Sequence, residues 1–215
     1  MDLTFLYSSG ATEAMNSTMA GVTLLFSIVV IVLFAYAIFK IFENSKPKVE
    51  YIVLLAFLIA VATVGRLIGI AIPGFQFATF IIIISGAVFG KETGLLVGML
   101  TAVVSDIVMG MGIWTPYQMV AWGLIGLLAG ILSSKMDNIA FRTVYGFLSG
   151  FIFGWITNIM MFYYLAEFNL ASVVGIYAAS VPVDFIHGIC TAVCLLLFYG
   201  WFKKTLIRSK EKYLG

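Results

Sequence analysis

Four ionisable residues, Arg66, Asp106, Asp184 and His187, lie inside otherwise uncharged stretches of this 215-residue chain. A guanidinium and two carboxylates could neutralise one another or hold the polar groups of a ligand. His187 is the single histidine, and it follows Asp184 by three residues, which puts both side chains on one face of a helix. Because a charge in hydrocarbon is costly, such residues usually mark a functional site or a paired structural one.

The stretches that carry these residues are apolar enough to lie in a lipid bilayer. Hydrophobic residues make up 62% of the chain and charged residues 10%, whereas soluble domains have roughly 25% charged residues. This composition excludes a soluble enzyme, a disordered chain and a nucleic-acid-binding protein, and it favours an all-α membrane protein. A spanning helix needs about 20 apolar residues, and seven spans are predicted near 18–42, 51–71, 77–90, 93–110, 116–134, 141–166 and 181–202.

Proline, glycine and threonine set the predicted boundaries. Pro73 and Gly74 interrupt the second apolar run, and Pro116 is expected to begin the fifth helix with Thr115 as its N-cap. A short additional helix is expected near 171–179. The glycines that recur every four residues in spans four, five and six predict close helix packing inside one bundle.

The positions of the basic residues predict the orientation of the chain. All Lys and Arg residues except Arg66 fall between spans one and two, three and four, five and six, or after span seven. Short loops rich in Lys and Arg stay in the cytoplasm, so the N-terminus is predicted outside and the C-terminus inside. The first span is expected to remain as an anchor, since no basic segment precedes it.

Alternative structural roles exist for each of the four ionisable residues. Arg66 and Asp106 could form a structural ion pair, Asp184 could complement the N-terminus of the seventh helix, and His187 could be a satisfied core residue. The predicted orientation nevertheless places all four, with Asn158, in the outer halves of their helices, whereas the inner half has no such residue. This clustering at one depth favours a site.

Catalytic chemistry has little support in the sequence. One histidine cannot supply a His-Glu-x-x-His zinc site, and Cys190 and Cys194 are expected to be small buried hydrophobes. No metal, cofactor or catalytic residue is predicted, and no phosphate-binding loop for ATP is present. Aromatic and amide side chains near the outer loops favour a cavity for a small molecule.

From about residue 50 onward the chain resembles the substrate-binding (S) components of the bacterial energy-coupling factor (ECF) vitamin transporters. Four segments carry the resemblance: 56–60 with Gly65 and Arg66, 79–94, 110–119 with Trp122 and Gly123, and 181–187. The resemblance implies a six-helix core over 50–204, preceded by an outer segment (1–17) and an extra helix (18–42), and followed by a basic cytoplasmic tail (205–215).

The resemblance also implies a function. The protein would capture a vitamin, with cobalamin as the first expectation, and deliver it through the cell membrane with a coupling subunit and two ATPase subunits. Ala56 and Ala60 match the Ala-x-x-x-Ala face with which the family contacts its coupling subunit. The expected substrate-binding residues are Arg66, Phe75, Gln76, Asp106, Trp114, Tyr117, Gln118, Trp155, Asn158, Asp184 and His187.

Departures from the family pattern affect the expected pocket. Asp106 stands where the family has asparagine after serine, Phe77 follows Gln76 where the family has proline, and Ile159 follows Asn158 where it also has proline. The alternatives are therefore another vitamin, a nucleobase-like ligand, or an intramembrane enzyme or signalling receptor that uses the same outer cavity.

Overall fold

The computed structural model describes residues 17–18, 21–22, 24–37, 40, 47–71, 74–165 and 168–214. Over these residues the chain folds into seven α-helices and no strand, which confirms the all-α fold class. The helices are α1 (described over Leu24–Ala37), α2 (Val49–Ile68), α3 (Phe77–Phe89), α4 (Lys91–Met109), α5 (Trp114–Ile131), α6 (Ile139–Asn158) and α7 (Leu170–Leu214).

Four segments of the described chain are long and apolar enough to cross a membrane by length and composition: Val49–Ile68, Lys91–Met109, Ile139–Tyr164 and Leu170–Lys212. The apolar helices α1 and α3 are shorter. Parts of the first two predicted regions, 1–17 and 18–42, lie outside the described residues. The domain boundaries and the orientation therefore remain predictions.

Helix α3 forms the centre of the bundle. Its residues from Ala78 to Gly86 are all buried, because α2, α4, α5 and α7 pack around it. The four consecutive isoleucines 81–84 therefore contact other helices on every side. Such a helix needs no polar face, which explains why its sequence is apolar in every direction.

The repeated glycines lie at helix–helix contacts, as the sequence predicts. Gly94 of α4 and Gly126 of α5 meet backbone to backbone, so that a Cβ on either would collide with the other helix. Along α6, Gly150 approaches the backbone of Gly188 in α7, and Gly146 approaches Leu195. These contacts are internal to the bundle, and they bring polar residues of neighbouring helices close together.

Helix α7 differs most from its prediction. It is one continuous helix of 45 residues that includes Pro182, so the separate helix expected at 171–179 and the start expected at 181 are wrong. Proline removes one helical hydrogen bond, but membrane helices tolerate this loss because neighbouring groups satisfy the freed carbonyl. The expected basic tail also continues this helix as far as Leu214.

Two other helix ends differ by smaller amounts. Helix α5 begins at Trp114 with Ile113 as its N-cap, so Thr115 is not the cap, and Pro116 occupies the first turn, where proline is tolerated. Helix α6 ends at Asn158, and residues Ile159–Tyr164 continue as a 3-10 helix instead of an α-helix to 166.

Arg142 shows that the end of the bundle predicted to be the inner one also contains a buried charged group, contrary to the expectation. It is buried in the first turn of α6, where its Nε donates to the Leu195 carbonyl (3.2 Å) and its Nη1 to the Asp137 carbonyl (3.1 Å). Its guanidinium lies 4.7 Å from the ring centroid of Tyr199. Arg142 therefore fixes the connection between α5 and α6 against α7.

Candidate ligand-binding site

Arg66 joins three helices through its guanidinium. Its Nη1 donates to Asp106 Oδ1 of α4 at 2.7 Å and also to the Ser105 hydroxyl, and its Nη2 donates to Gln118 Oε1 of α5 at 2.9 Å. Arg66 is 7% exposed and Asp106 is 1% exposed. The expected pair thus exists as a buried ion pair, and burial makes each charge dependent on the other.

Asp106 also fixes the connection between α4 and α5. Its second carboxylate oxygen accepts a hydrogen bond from the Thr115 hydroxyl at 2.7 Å, and that hydroxyl accepts one from the Gly112 backbone N–H at 3.3 Å. The connection starts at Gly110, whose φ of 107° suits glycine because it lies in the left-handed region. The carboxylate therefore orients this loop as well as neutralising Arg66.

Trp122 connects this ion pair to the single histidine. The Arg66 guanidinium lies 4.9 Å from the Trp122 ring centroid, and the indole N–H donates to the Thr79 hydroxyl at 2.9 Å. Thr79 in turn shares a hydrogen bond of 2.7 Å with His187 Nε2. Residues of α2, α3, α4, α5 and α7 thereby form one buried polar chain.

Asp184 lies apart from that chain of contacts. It is buried well inside α7 rather than in the first turn, so the predicted interaction with a helix N-terminus is wrong. Its carboxylate accepts a hydrogen bond from Ser180 at 2.8 Å and rests on Gly154 of α6, where any Cβ would collide with it. No cation pairs with it among the residues that the structure describes.

Two expected amide residues have an unpaired polar atom. Gln76 Oε1, an acceptor, and Asn158 Nδ2, a donor, are buried without a hydrogen-bond partner. Both flank the same part of α7: Gly74, two residues before Gln76, lies against the Val183 carbonyl, and Gly154, one turn before Asn158, lies against Asp184. A buried unpaired polar group costs about 1–3 kcal/mol.

The expected aromatic residues do not all lie close to the polar residues of the site. Phe75 packs on Gly69, and the Trp114 ring folds over Gly112. Tyr117 is buried and stacks on Phe26 of α1 at 4.5 Å, whereas Trp155 is 54% exposed on α6, where its carbonyl accepts from Tyr177. The structure therefore does not bring Tyr117 and Trp155 to the polar chain.

Several residues of the site were not among the expected ones: Thr79, Ser105, Thr115, Trp122 and Ser180. Single hydroxyls in an apolar run are weak signals, because they often bond to their own helix. The sequence did not indicate that the Trp122 indole would link Arg66 to Thr79, since a buried tryptophan in a membrane helix is ordinary. Taken together, these residues form a connected set of buried polar groups, and binding of a small molecule by them remains a prediction.

Comparison with known proteins gives one match. The family model described as "ECF-type riboflavin transporter, S component" matches residues 46–204, about three quarters of the chain. The chain belongs to this family. It is thus the substrate-specific S component of an ECF importer, which is a transporter subunit and not an enzyme. No curated protein and no solved structure matches it.

This membership confirms the expected family, and it indicates where the protein is located and with which subunits it works. An S component is a multi-pass protein of the cell membrane that binds a small molecule and works with a coupling T subunit and ATPases. The match begins just before α2 and ends within α7, so α1 lies outside it. The six helices α2 to α7 correspond to the part of the chain that the family describes.

Proposed function

We propose that this S component captures riboflavin, or a vitamin with the same ring system, between the start of α3, the end of α6 and the part of α7 around Asp184. It then delivers the vitamin inward together with a coupling subunit and two ATPase subunits. The observation that carries this proposal is the pair of unpaired buried amide atoms, Gln76 Oε1 and Asn158 Nδ2, on either side of α7.

The amide atoms fit the chemistry of a flavin. The isoalloxazine ring is planar and largely apolar, and one edge carries an imide N–H between two carbonyl oxygens. An amide oxygen would accept from that N–H, and an amide nitrogen would donate to a carbonyl. Because each amide atom is buried and unpaired without ligand, pairing would recover about 1–3 kcal/mol at each.

The other expected residues divide into two roles in this proposal. The terminal nitrogens of Arg66 already bond to Ser105, Asp106 and Gln118, so these residues brace the wall of the site. Asp184 has one hydrogen bond from Ser180 and could accept others from the hydroxyl groups of the ribityl chain. Phe75 and Trp114, both partly buried near the outer loops, would cover the ring.

Cobalamin, the first expectation from the sequence, becomes the competing ligand. The matching family is named for riboflavin, and the two amide atoms suit a flat ring edge. No feature of the described residues selects the much larger corrin ring. The enzyme and receptor alternatives are disfavoured because the matching family consists of transporter subunits.

The coupling step would use the exposed side of α2. Ala56 and Ala60 are both exposed, whereas Arg66 of the same helix is buried, and Phe57 and Val64 are exposed beside them. Small residues four apart let another helix approach closely in lipid. A helix of the coupling subunit could therefore pack against this side of α2.

Titration of the purified chain tests the ligand. We expect riboflavin, and not cobalamin, to quench tryptophan fluorescence saturably, and Gln76→Ala and Asn158→Ala each to weaken the affinity about tenfold. Asn138→Ala is the matched control: it removes an amide that caps α6 at the opposite end, so it should lower stability but not affinity. Tight cobalamin binding, or amide variants with unchanged affinity, would contradict the proposal.

A further inference from the structure

Helix α7 extends far beyond one membrane thickness. At 1.5 Å per residue its 45 residues measure about 67 Å, whereas the hydrocarbon core is about 30 Å thick. Its last part holds five of the chain's basic residues: Lys203, Lys204, Arg208, Lys210 and Lys212. These residues do not all face the same way, and the surroundings of the first four divide them into two groups.

The first group holds the last part of α7, which we call the extension, against the bundle. Lys203 forms an ion pair with Asp137, and Lys210 Nζ donates to the Val88 carbonyl near the end of α3 at 3.1 Å. Between them Leu206 is only 5% exposed and belongs to the hydrophobic core. The extension therefore has a fixed inner side.

The second group faces away from the bundle. Lys204 and Arg208 are one turn apart and exposed, and Trp201, three residues before Lys204, is 66% exposed on the same face. Neither Lys204 nor Arg208 forms an ion pair within the described part of the chain. We call Trp201, Lys204 and Arg208 the basic stripe.

The basic stripe continues a surface that lipid covers. Val193 and Leu197, at intervals of four before Trp201, are exposed on the same face of α7. Tryptophan is enriched where hydrocarbon meets head groups, so the two charges lie just beyond the end of a lipid-facing surface. A long basic side chain at this level can keep its stem in apolar surroundings and its charge at the head groups.

We propose that the basic stripe binds the phosphate groups of anionic lipids in the adjacent leaflet. The Arg208 guanidinium can donate two parallel hydrogen bonds to one phosphate, Lys204 adds a point charge one turn away, and Trp201 sets the depth. Basic residues directly outside a membrane helix are attracted to anionic lipids. Such lipids would fix the tilt of α7 relative to the membrane plane.

Lipid titration of the purified full chain tests this proposal. In a neutral detergent, native mass spectrometry should show retention of phosphatidylglycerol but not phosphatidylcholine, and added salt should weaken the retention. Lys204→Gln with Arg208→Gln should weaken phosphatidylglycerol binding about 20- to 30-fold, since each charge near an anionic surface contributes roughly a fivefold change.

Lys48→Gln with Lys135→Gln is the matched control, because it removes two exposed charges from the same predicted side. The control should weaken phosphatidylglycerol binding much less than the Lys204/Arg208 variant does, because Lys48 and Lys135 lie on separate segments of the chain and do not form one stripe. Equal binding of phosphatidylcholine, or unchanged phosphatidylglycerol binding in the Lys204/Arg208 variant, would overturn the proposal. If that variant kept its lipids but lost association with the ATPase or coupling subunits, the basic stripe would be a protein-binding surface instead.

Discussion

At the scale of single residues, the buried charge of Arg66 depends on one carboxylate. Asp106 is its only acidic partner in the described chain, and the pair is almost fully removed from solvent. The two side chains are far apart in sequence, yet their pairing could be predicted, because a lone charge in hydrocarbon is unstable. Their link to His187 could not be predicted, because it passes through the indole of Trp122.

Asp106→Asn should destabilise the protein severely. The substitution leaves the Arg66 charge buried without a counter-charge, which typically costs about 3–5 kcal/mol. Thermal unfolding in detergent would measure the loss. Asp137→Asn is the matched control, because its ion pair with Lys203 is exposed and should contribute less than about 1 kcal/mol. Equal effects of the two variants would show that burial does not strengthen the Arg66–Asp106 pair.

Thr79→Val should lower the free energy of unfolding, although the volume of the side chain hardly changes. It removes the shared partner of His187 Nε2 and Trp122 Nε1, leaving two buried polar atoms unpaired at about 1–3 kcal/mol each. The free energy of unfolding should recover with Thr79→Ser, which keeps the hydroxyl. If serine and valine lowered stability alike, packing of the threonine methyl would matter more than its hydrogen bonds.

At the scale of elements, α6 and α7 are held together by glycine contacts that also place Asp184. The spacing of Gly146, Gly150 and Gly154 predicted a close helix contact, but not which helix would fill it. The length of α7 could not be predicted, because Pro182 in a sequence usually indicates a helix start. In the structure the packing against α6 outweighs that local preference, so the helix continues through the proline.

Gly154→Ala should displace Asp184 and separate the two helices. The added methyl would collide with the Asp184 carboxylate, and overpacking of this kind costs about 1–3 kcal/mol. Gly175→Ala, in α7 with open space around it, is the matched control and should be neutral or slightly stabilising, since alanine favours helix. Melting temperatures of both variants, with riboflavin affinity, would measure the effect. A neutral Gly154→Ala would contradict the described contact.

At the scale of the whole molecule, α2 carries both Arg66 of the polar chain and the two alanines of the predicted docking face. Arg66 of α2 is buried and joins the polar chain, whereas Ala56 and Ala60 of the same helix are exposed. The ligand site and the docking face both remain predictions from the sequence, because no contact within the chain alone tests either of them.

Ala56→Leu with Ala60→Leu should abolish uptake while leaving the ligand affinity of the isolated chain unchanged. The larger side chains would keep a partner helix from approaching closely, but both positions are exposed in the chain alone. Vitamin uptake by whole cells and co-purification of the coupling subunit would report the effect. Ala140→Leu, exposed on α6, is the matched control. Undiminished uptake in the double variant would rule out docking through this face.

The shortness of α3 has a consequence for charge selectivity. Its 13 residues measure about 20 Å, roughly 10 Å less than the hydrocarbon core. With the predicted orientation, its inner end lies beside Lys91, so Gln76 at its outer end lies below the membrane surface. A phosphate ester carries between one and two negative charges at neutral pH, and dehydrating them at that depth costs several kcal/mol. The short helix would therefore favour the free vitamin over its phosphorylated form.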